Sequence, residues 1–205
     1  MKKSVIIALI ALTLIVGCVV GGTLAWLTAT TVTVTNTFTV GDINIELTET
    51  GTTDNQKNYD YIPGDVLAKD PKVTVEANSE SAYIFLRVDV ANNEVDDLTV
   101  IQWAIANGWT YIVDGAEADV VDFTKNGTYY FYRTYTATDT DTDYQVLAGG
   151  NYGEVKVNGN VTKDQVDTIL ETNKPTLVFT AAAVQSENIG GLANAWAAVP
   201  AGFTN

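Results

Sequence analysis

The chain has no histidine, and its 205 residues carry only eleven basic side chains against twenty-five acidic ones. Without imidazole the commonest general base and the commonest zinc ligand are both missing, so zinc-dependent proteolysis lacks its usual ligands. Neither a G-x-S-x-G elbow nor a glycine-rich phosphate loop ending in lysine occurs, which removes two further catalytic designs. The acidic excess makes nucleic acid a poor partner. The single cysteine, Cys18, sits in the N-terminal apolar run, so a product cut downstream of it would form no disulfide and would rely on its core for stability. The longest absence is of charge: none falls between Lys3 and Asp42.

That uncharged run divides in two. Residues 4–20 are long and apolar, as membrane insertion requires, and Lys2 and Lys3 supply a cationic start, so this half is expected to be an export signal. After Gly21-Gly22, the small residues Thr23 and Ala25 of Thr23-Leu24-Ala25 suit a signal peptidase, and cleavage would leave Trp26 as the new N-terminus. Residues 1–25 are thus expected to be a signal peptide, signal peptidase a transient partner, and the product secreted to the extracellular matrix or cell surface. Two alternatives stay open. Ile15-Val16-Gly17-Cys18 resembles a lipobox that would put a lipid on Cys18, although Val19-Val20 carries the apolar run past it, and an uncut segment 4–27 is long enough to anchor in a membrane. Loss of the signal would leave nine basic residues against twenty-five acidic ones. Such a surface repels its copies at low salt, so self-association should strengthen with salt or divalent cations.

From residue 28 the pattern alternates. Val32, Val34, Phe38 and Val40 share one side of an extended chain and Thr31, Thr33, Thr35, Thr37 and Thr39 the other. After Gly41 the apolar parity switches to Ile43, Ile45 and Leu47, which makes Gly41 a bend, bulge or hinge. Residues 50–65 look like a loop closed by the Pro63-Gly64-Asp65 turn. Strands are expected near 72–76 and 82–91, at Trp109-Tyr111-Val113 into an Asp114-Gly115 turn, from Asn126-Gly127 into the aromatic run 129–135, at Val155 and Val157, and as a buried strand over 177–185. Helices are expected at 97–106, capped by Asp97 with Leu98, Ile101 and Ile105 at helical spacing, after the capping box Thr162-Lys163-Asp164-Gln165, and in a short terminal turn at 192–198. Many short strands with two or three short helices predict a mainly β chain: a jelly-roll-like β-sandwich over 42–205, preceded by a strand and hinge at 26–41.

Few residues suggest chemistry. Asp139, Asp141 and Asp143 in Thr138-Asp139-Thr140-Asp141-Thr142-Asp143 fit a solvated loop, or at most a calcium site. An EF-hand starting at Asp139 fails, because Tyr144 stands where glycine is needed and Gly150 where glutamate is needed. Trp103, Trp109, Tyr129, Tyr130, Tyr132 and Tyr135 would suit a glycan platform, but aromatics on strands serve sandwich cores more often. No catalytic residue and no resident cofactor is assigned.

Gly21-Gly22-Thr23-Leu24-Ala25-Trp26, Asn36-Thr37-Phe38-Thr39-Val40-Gly41-Asp42-Ile43, Pro63-Gly64-Asp65, and Ala183-Val184-Gln185 followed by Ala195-Trp196 resemble the camelysin/TasA family, exported proteins of Gram-positive bacteria released by a dedicated signal peptidase. The resemblance implies a jelly-roll subunit of extracellular biofilm fibres, in which the N-terminal strand of one copy completes the sheet of the next. Val32, Val34, Phe38 and Val40 would then enter the neighbour's core, with Gly41 as the hinge. The implied partners are further copies of the chain, head to tail, and other matrix or anchor proteins. Some camelysin relatives are described as metalloproteases, an activity the histidine-free chain does not support. The competing expectations are a first strand paired within its own sheet, a monomeric glycan-binding adhesin, and a signal-anchored surface protein.

Overall fold

Apolar residues at every second position make strands that each bury one face, and such strands must stack in layers. The computed structural model describes residues 42–51, 59, 62–150, 153–165, 167 and 174–204. The signal, the strand at 28–40, the Gly41 hinge, and Ile169 and Leu170 of the expected second helix lie outside these residues.

In chain order the strands are β1 (Ile45–Thr48), β2 (Val66–Ala68), β3 (Lys72–Val75), β4 (Ala82–Ala91), β5 (Glu94–Val95), β6 (Leu98–Thr99) and β7 (Ile101–Gln102). There follow β8 (Thr110–Val113), β9 (Ala116–Glu117), β10 (Gly127–Tyr135), β11 (Thr142–Gln145), β12 (Glu154–Val157) and β13 (Thr176–Gln185). One layer is a five-stranded sheet in the order β13-β4-β10-β8-β9. Two three-stranded sheets, β1-β3-β11 and β2-β12-β7, contribute to the opposite side of the same core. Backbone bonds from Lys69 to Gly153, Val146 to Pro71 and Glu154 to Ala148 tie these smaller sheets together. All the named pairings are antiparallel. The chain is mainly β, and the expected jelly-roll-like sandwich forms.

The core follows the alternation. Ile84, Leu86, Val88 and Val90 of β4 meet Val73 and Val75 of β3, with Phe131 of β10 and Val155 of β12. The opposite face of the large sheet carries a second apolar cluster. Phe85, Ile112 and Ala182 pack there beneath the C-terminal helix Leu192–Ala197, with Trp196 and Phe203. Gly115 makes this close approach workable: its φ is +77°, and an added Cβ would stand 2.7 Å from the Trp196 side chain. The Asp114-Gly115 turn joins β8 to β9 through two left-handed residues, as the sequence predicts.

The expected helix at 97–106 does not form. Asp96 and Asp97 take φ of 46° and 64° and make the two-residue turn of the β5–β6 hairpin, so Asp97 ends a reversal rather than starting a helix. Buried Asn93 then holds β7 in place: its side chain accepts from the Ile101 N–H at 2.7 Å and donates to the Ile101 and Thr124 carbonyls at 2.8 and 2.6 Å. Ile105 continues as a bridge to Leu147. The capping box does form, with the Thr162 N–H donating to Gln165 Oε1 at 2.9 Å and the Gln165 N–H to Thr162 Oγ1 at 3.3 Å, ahead of helical residues 163–165.

Candidate functional site: an open sheet edge

The expected strand-donation and cleavage residues, Val32, Val34, Phe38, Val40, Gly41, Thr23, Ala25 and Trp26, lie outside the described residues. The three aspartates do not converge as the calcium reading needs. Asp143 is on β11, where it accepts from Lys72 Nζ at 2.9 Å and Thr74 Oγ1 at 2.7 Å, and Asp141 accepts from the Ala77 N–H at 2.9 Å. The Lys72 bond first and the Thr74 bond second hold the Asp143 carboxyl below the ordinary carboxylate range. Among the described residues no group of three or more histidine, cysteine or acidic side chains stands close enough to hold a metal ion. Part of the run expected to be a solvated loop is therefore strand, tied across to β3.

The aromatic residues follow their packing role. Trp103, Trp109, Tyr129 and Tyr135 are buried in the inner core. Tyr130 packs edge-on against Trp196 on the outer face, with centroids 5.0 Å apart. Tyr132, only partly buried, donates its hydroxyl to Glu117; that bond, then burial, pushes its pKa up to about 12. These six rings are divided between the two faces of the large sheet, so they form no common glycan platform.

Among the described residues one long strand has a neighbour on a single side. Among them β13, expected as a buried strand, is an edge strand of the large sheet, paired through ten residues to β4 and to no other strand. Its sequence, Thr-Leu-Val-Phe-Thr-Ala-Ala-Ala-Val-Gln, contains no charge and no proline, the usual devices by which edges resist pairing. The other sheet edges among the described residues are two to four residues long, and Glu46, Glu117 and Asp143 stand on β1, β9 and β11. The inner row of β13, Leu177, Phe179, Ala181 and Ala183, packs on the core yet stays only partly buried. The adjoining β4 row is buried to between 0% and 3% exposure.

β1 comes alongside β13 from the facing layer, and its inward residues Ile45 and Leu47, with Ile43 just ahead of the strand, are likewise only partly buried. Among the described residues the two rows form a seam of half-buried apolar side chains along one side of the sandwich. Glu49, next in the parity of Ile45 and Leu47, ends the apolar stretch of that row. It pairs with Lys69 at 2.7 Å, and each side chain keeps 12% of its exposure. Lys69 Nζ stands 5.3 Å from the Phe179 ring centroid, and the Tyr59 hydroxyl donates to Glu49 at 2.7 Å. Sequence alternation finds the apolar row of β13; its place at an edge depends on pairings between distant segments, which no local pattern encodes.

The described residues thus form an antiparallel β-sandwich with one long, uncharged edge strand. Residues 1–100 match the family model described as Camelysin metallo-endopeptidase. No curated protein and no solved structure matches the chain. The metal implied by the family's name finds no fitting donor set among the described residues, and the whole chain has no histidine.

Proposed function

We propose that this protein is an exported structural subunit that polymerises head to tail into extracellular matrix fibres. The N-terminal strand at 26–41 of one copy adds to the β13 edge of the next. The observation that carries the reading is that ten-residue edge, uncharged and bordered by a half-buried apolar row. An added strand satisfies the open backbone groups, and its alternate side chains, Val32, Val34, Phe38 and Val40, extend the core over Leu177, Phe179, Ala181 and Ala183. Burial contributes on the order of 1.5 to 3 kcal/mol per side chain, from which the cost of ordering the strand is subtracted. Because donor and acceptor surfaces differ, the contact does not close on itself and a filament grows.

In this reading the protein is not an enzyme, signal peptidase frees the donor strand during export, and other matrix or anchor proteins are its further partners. Electron microscopy and sedimentation of processed protein test it. Wild type should form filaments, whereas removal of residues 26–40 should leave a folded monomer. Ala183→Lys, which points a charge into the seam, should also leave a folded monomer. Processed protein that stays monomeric at high concentration would refute the proposal, as would loss of the fold on strand removal.

A further inference from the structure

Three asparagines of this chain precede a glycine: Asn107, Asn126 and Asn158. The pair is chemically labile, because glycine has no side chain to keep its amide nitrogen from the preceding side-chain carbonyl, and a five-membered ring closes between them. Closure needs two freedoms. The asparagine side chain must turn to meet the next nitrogen, and that nitrogen must be clear of other bonds.

The fold grants these freedoms unequally. Asn158 is buried to 8% exposure, its Nδ2 donates to the Thr99 carbonyl at 2.8 Å, and its Oδ1 accepts from the Asn160 N–H at 3.0 Å. Asn126 is exposed but tethered: its Oδ1 accepts from the N–H of buried Asn93 at 2.8 Å, and Gly127 opens β10, paired with Val90. Turning that side chain away would leave a buried donor without an acceptor. Asn107 and Gly108 are both exposed, in the turn between the Ile105–Leu147 bridge and β8. Among the described residues no hydrogen bond engages the Asn107 side chain or the Gly108 N–H. Gly108 holds φ at +91°, and a Cβ there would stand 3.1 Å from Arg133 Nη2, so conformation and space both favour glycine at this position.

We propose that Asn107 is a site of spontaneous self-modification, deamidating through a cyclic imide to aspartate and isoaspartate. The Gly108 nitrogen gives its proton to a solvent base and bonds to Asn107 Cγ; the Cγ–Nδ2 bond breaks, and ammonia leaves with the returned proton. Water then opens the ring. Attack at Cγ restores the ordinary backbone as aspartate, whereas attack at the main-chain carbonyl carbon leaves Gly108 joined through Cγ, as isoaspartate. Water is the one co-reactant. Each event adds one negative charge to a chain whose formal net charge is −14. The isoaspartate also adds a methylene to the main chain between two fixed points, the Ala106 N–H on the Val146 carbonyl at 2.9 Å and the Trp109 indole on the Gln145 carbonyl at 2.8 Å. The age of a chain is thereby written in its charge, whether or not strands are exchanged.

In the test, purified protein is incubated in mildly alkaline buffer and digested at intervals, and the three Asn-Gly peptides are followed by mass spectrometry. The Asn107 peptide should be the first to gain the mass of an amide turned acid, as both aspartate and isoaspartate. Its rate should exceed those at Asn126 and Asn158 by roughly tenfold or more, the factor that a buried tether imposes. In urea, where the tethers are gone, the three rates should converge. Asn107→Gln, a change on an exposed side chain, should fold as wild type does and lose the early acidic species seen on ion exchange. Equal rates in the folded protein, or a lead for Asn126 or Asn158, overturn the proposal. An Asn107 lead that persists undiminished in urea overturns the part assigned to the fold. Aspartate formed without isoaspartate overturns the cyclic route.

Discussion

Asn93 shows how much one polar side chain can organise. Fully buried, it satisfies both backbone groups of Ile101 and the Thr124 carbonyl, and its own N–H donates to Asn126 Oδ1 at 2.8 Å. Asn93→Ala would strand three buried polar groups, and each costs about 1 to 3 kcal/mol. Chemical denaturation should register a loss of about 3 kcal/mol or more. Nothing around Asn93 in the sequence separates it from a solvent-facing loop asparagine, because its partners are brought to it by strands that pair elsewhere. Asp143 makes a smaller, pH-dependent contribution. Its depressed pKa means that its bonds to Lys72 and Thr74 stabilise the fold above the ordinary carboxylate range and are lost as pH falls through the lowered value. Asp143→Asn should therefore flatten the acid limb of a stability-versus-pH curve below about pH 4. At neutral pH, where the pair is exposed, the difference should stay under about 1 kcal/mol.

Among the elements, those with clean alternation were readable in advance. The bounds of β4 match the expected 82–91, and the Asp114-Gly115 turn, the capping box at Thr162 and the C-terminal helix are present. The stretch at 97–106 misleads because Leu98, Ile101 and Ile105 fit helical spacing by number alone, while Asp96 and Asp97 bear the local conformation that decides the outcome. Both take positive φ, which Asn-Gly prefers. Replacing Asp96-Asp97 by Asn-Gly should raise the thermal midpoint, because glycine takes the left-handed conformation without the Cβ clash, a gain of up to about 1 kcal/mol before the extra unfolded-state entropy of glycine is subtracted. β13 was readable as a strand but not as an edge, and the candidate acceptor was hidden for that reason: period-two alternation says which way a side chain points, not what lies beside the backbone. Arg133, in the aromatic run of β10, likewise looks like an outward residue until Tyr144 and Trp109 are seen against it.

At the scale of the whole molecule, the large sheet separates two apolar clusters, and β4 belongs to both. Ile84, Leu86, Val88 and Val90 fill the inner core, Phe85 the outer one, and β10 and β13 flank it along most of its length. Its amide protons are therefore shielded from every direction, and no local fraying frees them without dismantling both clusters. In deuterium exchange read by mass spectrometry, the peptide spanning residues 84–88 should be the last to gain mass, at a rate set by global opening. That peptide would then act as an internal clock: a substitution that speeds it has weakened the entire molecule, and one that leaves it unchanged has acted only at the periphery.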